Sequence, residues 1–210
     1  MAKFAFLSEG VKTEFLKFLE PISRFLEKLG VHPHILTFLG LLFSLLAANF
    51  FRIGRFFWGG IFVALAGICD LLDGKLARGA NQASKFGALL DSTVDRYSEG
   101  FIFLGLALYW RFSYLLWVII LGLLGSFIVS YVRARSEGFG VECKVGMFKR
   151  EERITYLSVG AMLGAIPLIG HLIFGLVLWI IAVFVNITVI QRILHFRRAV
   201  METERKGEIE

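Results

Sequence analysis

The chain has 210 residues, of which 57% are hydrophobic, and a formal net charge of +6. This apolar fraction, with a mean hydropathy of +0.71, exceeds that of ordinary soluble domains and indicates an integral membrane protein. The basic residues flank apolar segments and do not alternate with aromatic ones, so we expect anionic lipid or a phosphorylated substrate as a partner and no nucleic acid. The two cysteines, Cys69 and Cys143, lie in different segments and form no C-x-x-C motif, so we expect no disulfide framework.

Residues 1–30 are predicted to form an amphipathic juxtamembrane helix on the membrane surface. Apolar residues recur there at spacings of three and four, while lysines and glutamates lie off that stripe. Gly30 and Pro33 should end the helix. A helix packed on a soluble core is the alternative. The apolar stripe consists of Phe4, Leu7, Val11, Phe15, Phe18, Ile22 and Phe25.

Residues 31–200 are predicted to form one all-α membrane domain of six transmembrane helices, followed by a charged C-terminal tail at residues 201–210. The fifth apolar segment is shorter than the roughly 20 residues of a span, and Gly164, Pro167 and Gly170 predict a bend or turn near its end. The six segments are Ile35 to Phe51, Phe56 to Leu72, Phe86 to Trp110, Tyr114 to Val132, Ile154 to Ile169, and Leu172 to Leu194.

The distribution of basic residues predicts the orientation of these segments. Most lysines and arginines lie at one side of the predicted membrane domain, whereas Arg52, Arg55 and Arg111 lie at the opposite side. By the positive-inside rule, both termini should therefore face the cytoplasm.

Four aspartates lie at the predicted cytoplasmic ends of the second and third segments. Asp70 and Asp73 are three residues apart and Asp91 and Asp95 are four apart, so each pair shares a helix face. Four carboxylates near lipid are costly unless they are paired. Oxygen ligands favour Mg²⁺ or Mn²⁺, and two such ions would suit a pyrophosphate. A structural network with neighbouring lysines and arginines is the alternative.

Small residues beside these aspartates leave room for a ligand. Gly74 and Gly87 would let a nucleotide lie directly against the backbone, and Ala77 keeps the same helix face open. Arg78 can bind a phosphate with two parallel hydrogen bonds. We also expect Ser84 to lie close to the second pair of aspartates.

The stretch from Asp70 to Asp95 resembles the signature of the CDP-alcohol phosphotransferase family, D-x2-D-G-x2-A-R-x8-G-x3-D-x3-D, at every fixed position. The resemblance implies a membrane enzyme, typically homodimeric, that uses Mg²⁺ or Mn²⁺ and displaces CMP from a CDP-linked donor with an alcohol. It further implies that Asp70, Asp73 and Asp91 bind metal, and that Asp95 is the general base near the metal. The implied CDP-binding residues are Asp70, Asp73, Gly74, Ala77, Arg78, Ser84 and Gly87.

A second group of basic residues concerns the acceptor. The runs from Tyr131 to Gly138 and from Lys149 to Arg153 resemble the branch of the family that uses inositol phosphate. This resemblance implies inositol 1-phosphate as acceptor and CDP-diacylglycerol or CDP-archaeol as donor, in the cytoplasmic membrane of a prokaryote. Ordinary positive loops are the alternative. The candidates for binding the acceptor phosphate are Arg133, Arg153, Arg192, Arg150, Arg135 and Lys144.

Two other functions remain open at this point. Glycerol 3-phosphate as acceptor would give phosphatidylglycerol phosphate with the same aspartate chemistry. A divalent-cation transporter would place its acids near the midplane, often in two related repeats. The sequence contains no such repeat, which disfavours the transporter.

Overall fold

The computed structural model describes residues 9–79 and 84–207, and these ranges contain seven α-helices and no strand. Within the helices, side chains are described except at positions 9, 11–13, 15, 16, 77–79, 206 and 207. The predicted all-helical fold is confirmed for this part of the chain. The helices are α1 Glu9–Lys28, α2 Pro33–Arg52, α3 Phe56–Gly79, α4 Lys85–Tyr109, α5 Leu115–Gly138, α6 Arg150–Leu163 and α7 Gly170–Gly207.

Four helices of the described ranges are long and apolar enough to cross a membrane, and they lie within α2, α3, α5 and α7. The first half of α4 carries four charged residues, and α6 has only 14 residues, fewer than the roughly 20 that a straight span needs. The number of six spans therefore stays a prediction. The four apolar segments are Pro33–Arg52, Phe56–Leu76, Leu115–Gly138 and Gly170–Arg205.

Glycines allow α4 and α6, which carry charged residues, to pack closely against α2 and α3. A Cβ added at Gly105 of α4 would collide with the backbone of Ala48 in α2. One added at Gly60 of α3 would lie 2.7 Å from the carbonyl oxygen of Ser158 in α6, and the Ser158 hydroxyl donates to the Gly60 carbonyl at 3.0 Å. Small residues of this kind let apolar helices approach closely. As a result, α4 and α6 both pack beside the α2–α3 pair.

The α1 helix contacts the rest of the chain through one face. Leu19 is buried in a small cluster with Leu36, Leu72 and Leu76. Phe18 and other members of the predicted stripe are largely exposed, so the bundle does not cover them. The membrane-surface position of α1 stays a prediction. The predicted end of the helix is confirmed, because α1 stops at Lys28 and Gly30 has a φ of +66°.

The fifth apolar segment differs from its predicted extent. The α6 helix begins at Arg150 and ends at Leu163, and residues 164–169 form the predicted turn before α7 begins at Gly170. The α7 helix then continues for 38 residues to Gly207, because no glycine or proline interrupts its sequence after Gly175. Residues 201–207 of the predicted tail belong to this helix. Residues 208–210 of that tail, and residues 1–8 of the predicted N-terminal helix, lie outside the described part of the chain.

Candidate active site

Three of the predicted metal ligands come together between α3 and α4. Asp70, Asp91 and Asp95 each offer a carboxylate oxygen, and these oxygens lie within 4.8 Å of one another. The Asp91 Oδ1 atom is buried and has no hydrogen-bond partner among the described residues. A buried oxygen of this kind is costly without a partner, and an all-oxygen donor set suits Mg²⁺ or Mn²⁺. The residues that are present therefore fit a divalent metal ion.

Asp73, the fourth aspartate, lies next to this group without joining it. Its side chain is buried, and Oδ2 accepts a hydrogen bond of 2.9 Å from the Thr37 hydroxyl of α2. Asp73 lines the same cavity as Asp70 and Asp95. Thr37 thus holds one carboxylate in a fixed orientation at the edge of the acidic group.

Arg150, at the start of α6, connects two of the aspartates. Its Nη1 lies 2.7 Å from Asp70 Oδ1 and its Nη2 lies 2.6 Å from Asp95 Oδ1. Arg96 is a more distant neighbour, with its Nη2 3.8 Å from Asp95 Oδ2. The sequence singled out Arg150 for the acceptor phosphate, whereas in the structure its guanidinium binds two predicted metal ligands.

Arg153, one turn further along α6, forms a buried ion pair with Glu99 of α4. Its Nε lies 2.9 Å from Glu99 Oε1 and its Nη2 lies 3.3 Å from Oε2. Only 3% of the Arg153 side chain and 10% of that of Glu99 are exposed. Two parallel hydrogen bonds of this kind fix the plane of the guanidinium. Arg153 therefore has a fixed position at the wall of the cavity.

Arg192, on α7, is also buried, and it holds the loop that precedes α6. Its Nε donates to the Val145 carbonyl at 3.0 Å, and its Nη1 donates to the Val129 carbonyl at 2.6 Å. Two further residues of α7 hold the same loop, since the Met147 amide donates to Gln191 and the Phe148 amide donates to Thr188. These bonds determine where α6 begins and hence where Arg150 lies.

The other three predicted acceptor residues are exposed and have partners close by in sequence. Arg133 pairs with Glu137 at 2.8 Å, and the Arg135 guanidinium lies 4.3 Å from the centre of the Phe139 ring. Lys144 donates to Glu142, and this hydrogen bond lowers the pKa of the Glu142 carboxyl. None of Arg133, Arg135 and Lys144 lines the cavity that contains the aspartates.

That cavity lies between α2, α3, α4 and α6 and has a polar end and apolar walls. Aspartates, Glu99 and two arginines line the polar end, while side chains such as Leu36 and Phe103 line the rest. Such a site could accept a charged headgroup together with part of an apolar chain.

Comparison with known proteins shows the family of the chain. The model of the CDP-alcohol phosphatidyltransferase family matches residues 30–190. The chain belongs to this family. It is 35% identical to the phosphatidylinositol phosphate synthase of Streptomyces avermitilis over an alignment of 210 positions, which covers 95% of this chain and 86% of the relative. It is 37% identical to the archaetidylinositol phosphate synthase of Pyrococcus horikoshii over 183 residues, which cover 86% and 91%.

Solved structures of one relative have the same fold. The crystal structure of Mycobacterium tuberculosis phosphatidylinositol phosphate synthase with CDP-DAG bound has a TM-score of 0.74 and 32% sequence identity, over 84% of this chain and 92% of that one. The same synthase in complex with manganese and citrate also gives a TM-score of 0.74 and 32% identity, over 84% and 87%. A divalent metal thus belongs to the chemistry of the family.

The small residues of the family signature are partly explained by packing. Ser84 is the N-cap of α4, where its hydroxyl accepts a 2.9 Å hydrogen bond from the Gly87 amide. A Cβ at Gly87 would lie 3.0 Å from that hydroxyl and 3.3 Å from the His34 ring, so a larger residue would require these two side chains to shift. Gly74 directly follows Asp73 in α3. The side chains of Ala77 and Arg78 lie outside the described part, and their roles stay predictions.

Two residues of the site were not singled out from the sequence. Glu99 follows Asp95 by four residues, as Asp95 follows Asp91, so it continues the acidic stripe of α4. Extending that stripe by one turn would have found it. Helical spacing could not have shown the role of Thr37, because its contact with Asp73 joins residues 36 positions apart.

Proposed function

We propose that this member of the CDP-alcohol phosphatidyltransferase family transfers a phosphatidyl or archaetidyl group from a CDP-lipid to inositol 1-phosphate and releases CMP. The observation that carries the proposal is one cavity lined by Asp70, Asp73 and Asp95 together with Arg150 and Arg153. The aspartates suit the metal-bound donor, and the arginines suit a phosphate monoester. The relatives named as inositol phosphate lipid synthases support the same acceptor.

On the donor side, Asp70, Asp91 and Asp95 would hold Mg²⁺ or Mn²⁺, and Asp73 would be a further ligand from the edge of this group. When bound, such ions would neutralise pyrophosphate oxygens and stabilise the leaving group. Gly74 and Gly87 would lie against the nucleotide, and Ala77, Arg78 and Ser84 would complete its site.

On the acceptor side, Asp95 takes the proton of the inositol hydroxyl as general base. The hydroxyl oxygen then forms a bond to the lipid-side phosphorus, and the bond between this phosphorus and the bridging oxygen breaks, so that CMP leaves. Arg153 presents a fixed positive charge, and Arg150 a second one, to the acceptor phosphate. The signature contains no Ser, Cys or His with an activating partner, which favours direct transfer over a covalent enzyme intermediate.

The proposal includes a membrane arrangement. Six spans, cytoplasmic termini and an active site at the cytoplasmic face of a prokaryotic inner membrane would leave the lipid chains of the donor in the bilayer while its headgroup reaches water. A homodimer, typical of the family, is part of the same proposal. The apolar exposed flanks of the helices suit contact with lipid or a second copy.

The first test is CMP release by the full-length protein in detergent or nanodiscs, with CDP-diacylglycerol or CDP-archaeol and Mn²⁺. Inositol 1-phosphate and glycerol 3-phosphate are compared as acceptors, and Asp95→Asn is the inactive variant. We expect release with inositol 1-phosphate alone, and a loss in the variant of at least about 10²-fold because the general base is absent.

Three results would contradict the proposal. Release with glycerol 3-phosphate alone would keep the aspartate chemistry but overturn the acceptor. Full activity of Asp95→Asn would overturn the role of this residue. If neither acceptor supports release while vesicles containing the protein take up Mn²⁺, the transporter alternative replaces the enzyme.

A further inference from the structure

Arg150 is bound to the residues that the proposed function assigns to a metal. Its two terminal nitrogens lie 2.7 and 2.6 Å from oxygens of Asp70 and Asp95, and those aspartates form two thirds of the three-carboxylate group. A guanidinium fork binds carboxylates strongly when it donates to both of them at once. The same negative charges therefore attract both this arginine and a divalent cation.

We infer that Arg150 is an internal cation that competes with the divalent metal for Asp70 and Asp95, and that metal binding releases its guanidinium to the acceptor phosphate. The inference deepens the proposed function and rests on the metal site proposed there. It makes Arg150 an acceptor-binding residue whose availability depends on the metal, so that the metal binds before the acceptor.

The electrostatics of the cluster support the competition. Three carboxylates with oxygens within 4.8 Å repel one another, and Arg150 reduces this repulsion with one positive charge. A divalent ion brings two positive charges to the same oxygens and so weakens their attraction for the Arg150 guanidinium. A residue that neutralises these carboxylates must therefore weaken metal binding, since part of the binding free energy goes into displacing it.

The neighbouring arginine explains why Arg150, and not Arg153, would move. Arg153 is held by Glu99 through two hydrogen bonds and is almost completely buried. Glu99 does not belong to the group that could hold a metal, so a metal would not replace that bond. Arg150 has 21% of its side chain exposed and lines the same cavity, which places a released guanidinium within reach of an acceptor.

The competition predicts tighter metal binding when Arg150 is removed. Mn²⁺ binding to the full-length protein in nanodiscs, without nucleotide, is measured from the electron paramagnetic resonance signal of free Mn²⁺. We expect Arg150→Gln to lower the Mn²⁺ Kd on the order of tenfold. The matched control is Arg24→Gln, which removes the same charge from an exposed pair with Glu20 on α1 and should leave the Kd unchanged.

A conservative variant protects the test against misfolding. Arg150→Lys keeps the charge but lacks the planar fork, so its Mn²⁺ Kd should lie between those of the wild type and Arg150→Gln. An unchanged or higher Kd in the folded Arg150 variants would overturn the inference. An equal decrease in the Arg24 control would also overturn it, since the effect would then be general charge.

A second measurement uses the mutual effect of Mn²⁺ and inositol 1-phosphate on each other's binding. If the metal frees Arg150 for the acceptor, inositol 1-phosphate must tighten Mn²⁺ binding in the wild type, by the same factor as Mn²⁺ tightens inositol 1-phosphate. We expect this mutual effect to disappear in Arg150→Gln. The same mutual effect in the variant would overturn the second half of the inference.

A separate variant distinguishes an error in the proposed metal site from an error in the role of Arg150. Asp91→Asn should abolish the tight Mn²⁺ binding in both the wild-type and the Arg150→Gln backgrounds. Undiminished binding in Asp91→Asn would contradict the proposed metal site, and the inference about Arg150 with it. Loss of binding in Asp91→Asn with no effect of Arg150→Gln would contradict the inference alone.

Discussion

At the scale of single residues, the ion pair of Glu99 and Arg153 is the most deeply buried charged contact of the site. A buried pair contributes little net stability compared with apolar residues, but breaking it by removing one partner leaves a charge that is neither solvated nor paired. Its role in the site is to fix the guanidinium beside the cavity.

We expect Glu99→Gln to lower the free energy of unfolding by about 3–5 kcal/mol, since it leaves Arg153 buried without its counter-charge. Thermal unfolding in detergent measures this as a fall in Tm. The matched control is Glu137→Gln, because Glu137 pairs with Arg133 on the exposed surface and its loss should cost about 0–1 kcal/mol. Equal Tm values for the two variants would contradict the assignment of a buried pair.

Thr37 is a second residue whose role can be tested by itself. Thr37→Val removes the hydroxyl that donates to Asp73 and lets this carboxylate turn. We expect the Mn²⁺ concentration for half-maximal CMP release to rise by about 10-fold, as is usual when the partner of a metal-binding residue is lost.

Thr37→Ser keeps the hydroxyl and serves as the control, which should behave like the wild type. If Thr37→Val had the Mn²⁺ dependence of the wild type, the hydrogen bond from Thr37 would have no part in holding Asp73 for the metal. A loss of folded protein is monitored by size-exclusion chromatography of both variants.

At the scale of helices, the site depends on how closely α4 approaches α2. The contact is made at Gly105 against the backbone of Ala48, and the same helix carries Asp91, Asp95 and Glu99 in the turns before it. Because a helix moves as a rigid rod over this length, a shift at Gly105 also shifts the carboxylates.

We expect Gly105→Ala to destabilise the protein by about 1–3 kcal/mol through overpacking and to reduce CMP release. Gly100→Ala is the control on the same helix, since a Cβ there would lie 3.6 Å from the Phe127 ring, at ordinary contact distance. That control should be neutral or slightly stabilising, because alanine favours a helix more than glycine does. Full stability of Gly105→Ala would show that α2 and α4 can separate without cost.

At the scale of the whole molecule, charge and apolar surface are separated. The aspartates and the buried arginines gather in one cavity, while many large apolar side chains on the flanks of the bundle are exposed. In water such flanks would be costly, whereas lipid accepts them. Exposed apolar residues of this kind include Leu42, Leu45, Trp117, Leu121, Leu124 and Leu176.

The predicted orientation can be tested with single cysteines. Phe112, between α4 and α5, and Glu202, near the end of α7, are both exposed, whereas Cys69 and Cys143 are buried and should react slowly. A membrane-impermeant maleimide added to intact cells should label Phe112→Cys but label Glu202→Cys only after the membrane is opened. Labelling of both residues from the same side would contradict the arrangement of spans and termini.

The sequence by itself determined the membrane character, where most helices begin and the four aspartates. These features are local, because hydrophobic length and helical spacing act within one segment. The signature from Asp70 to Asp95 was sufficient for the family, since it lies within 26 consecutive residues.

Only the tertiary structure decided which charges meet. Three arginines were equivalent candidates in sequence for the acceptor phosphate, Arg133, Arg153 and Arg192. In the structure Arg133 is exposed, Arg153 is paired with Glu99, and Arg192 holds the loop before α6. Arg150 lies 80 residues after Asp70 and yet contacts it. A pattern within one segment cannot show such contacts, because the packing of α3, α4 and α6 brings residues together that are distant in the chain.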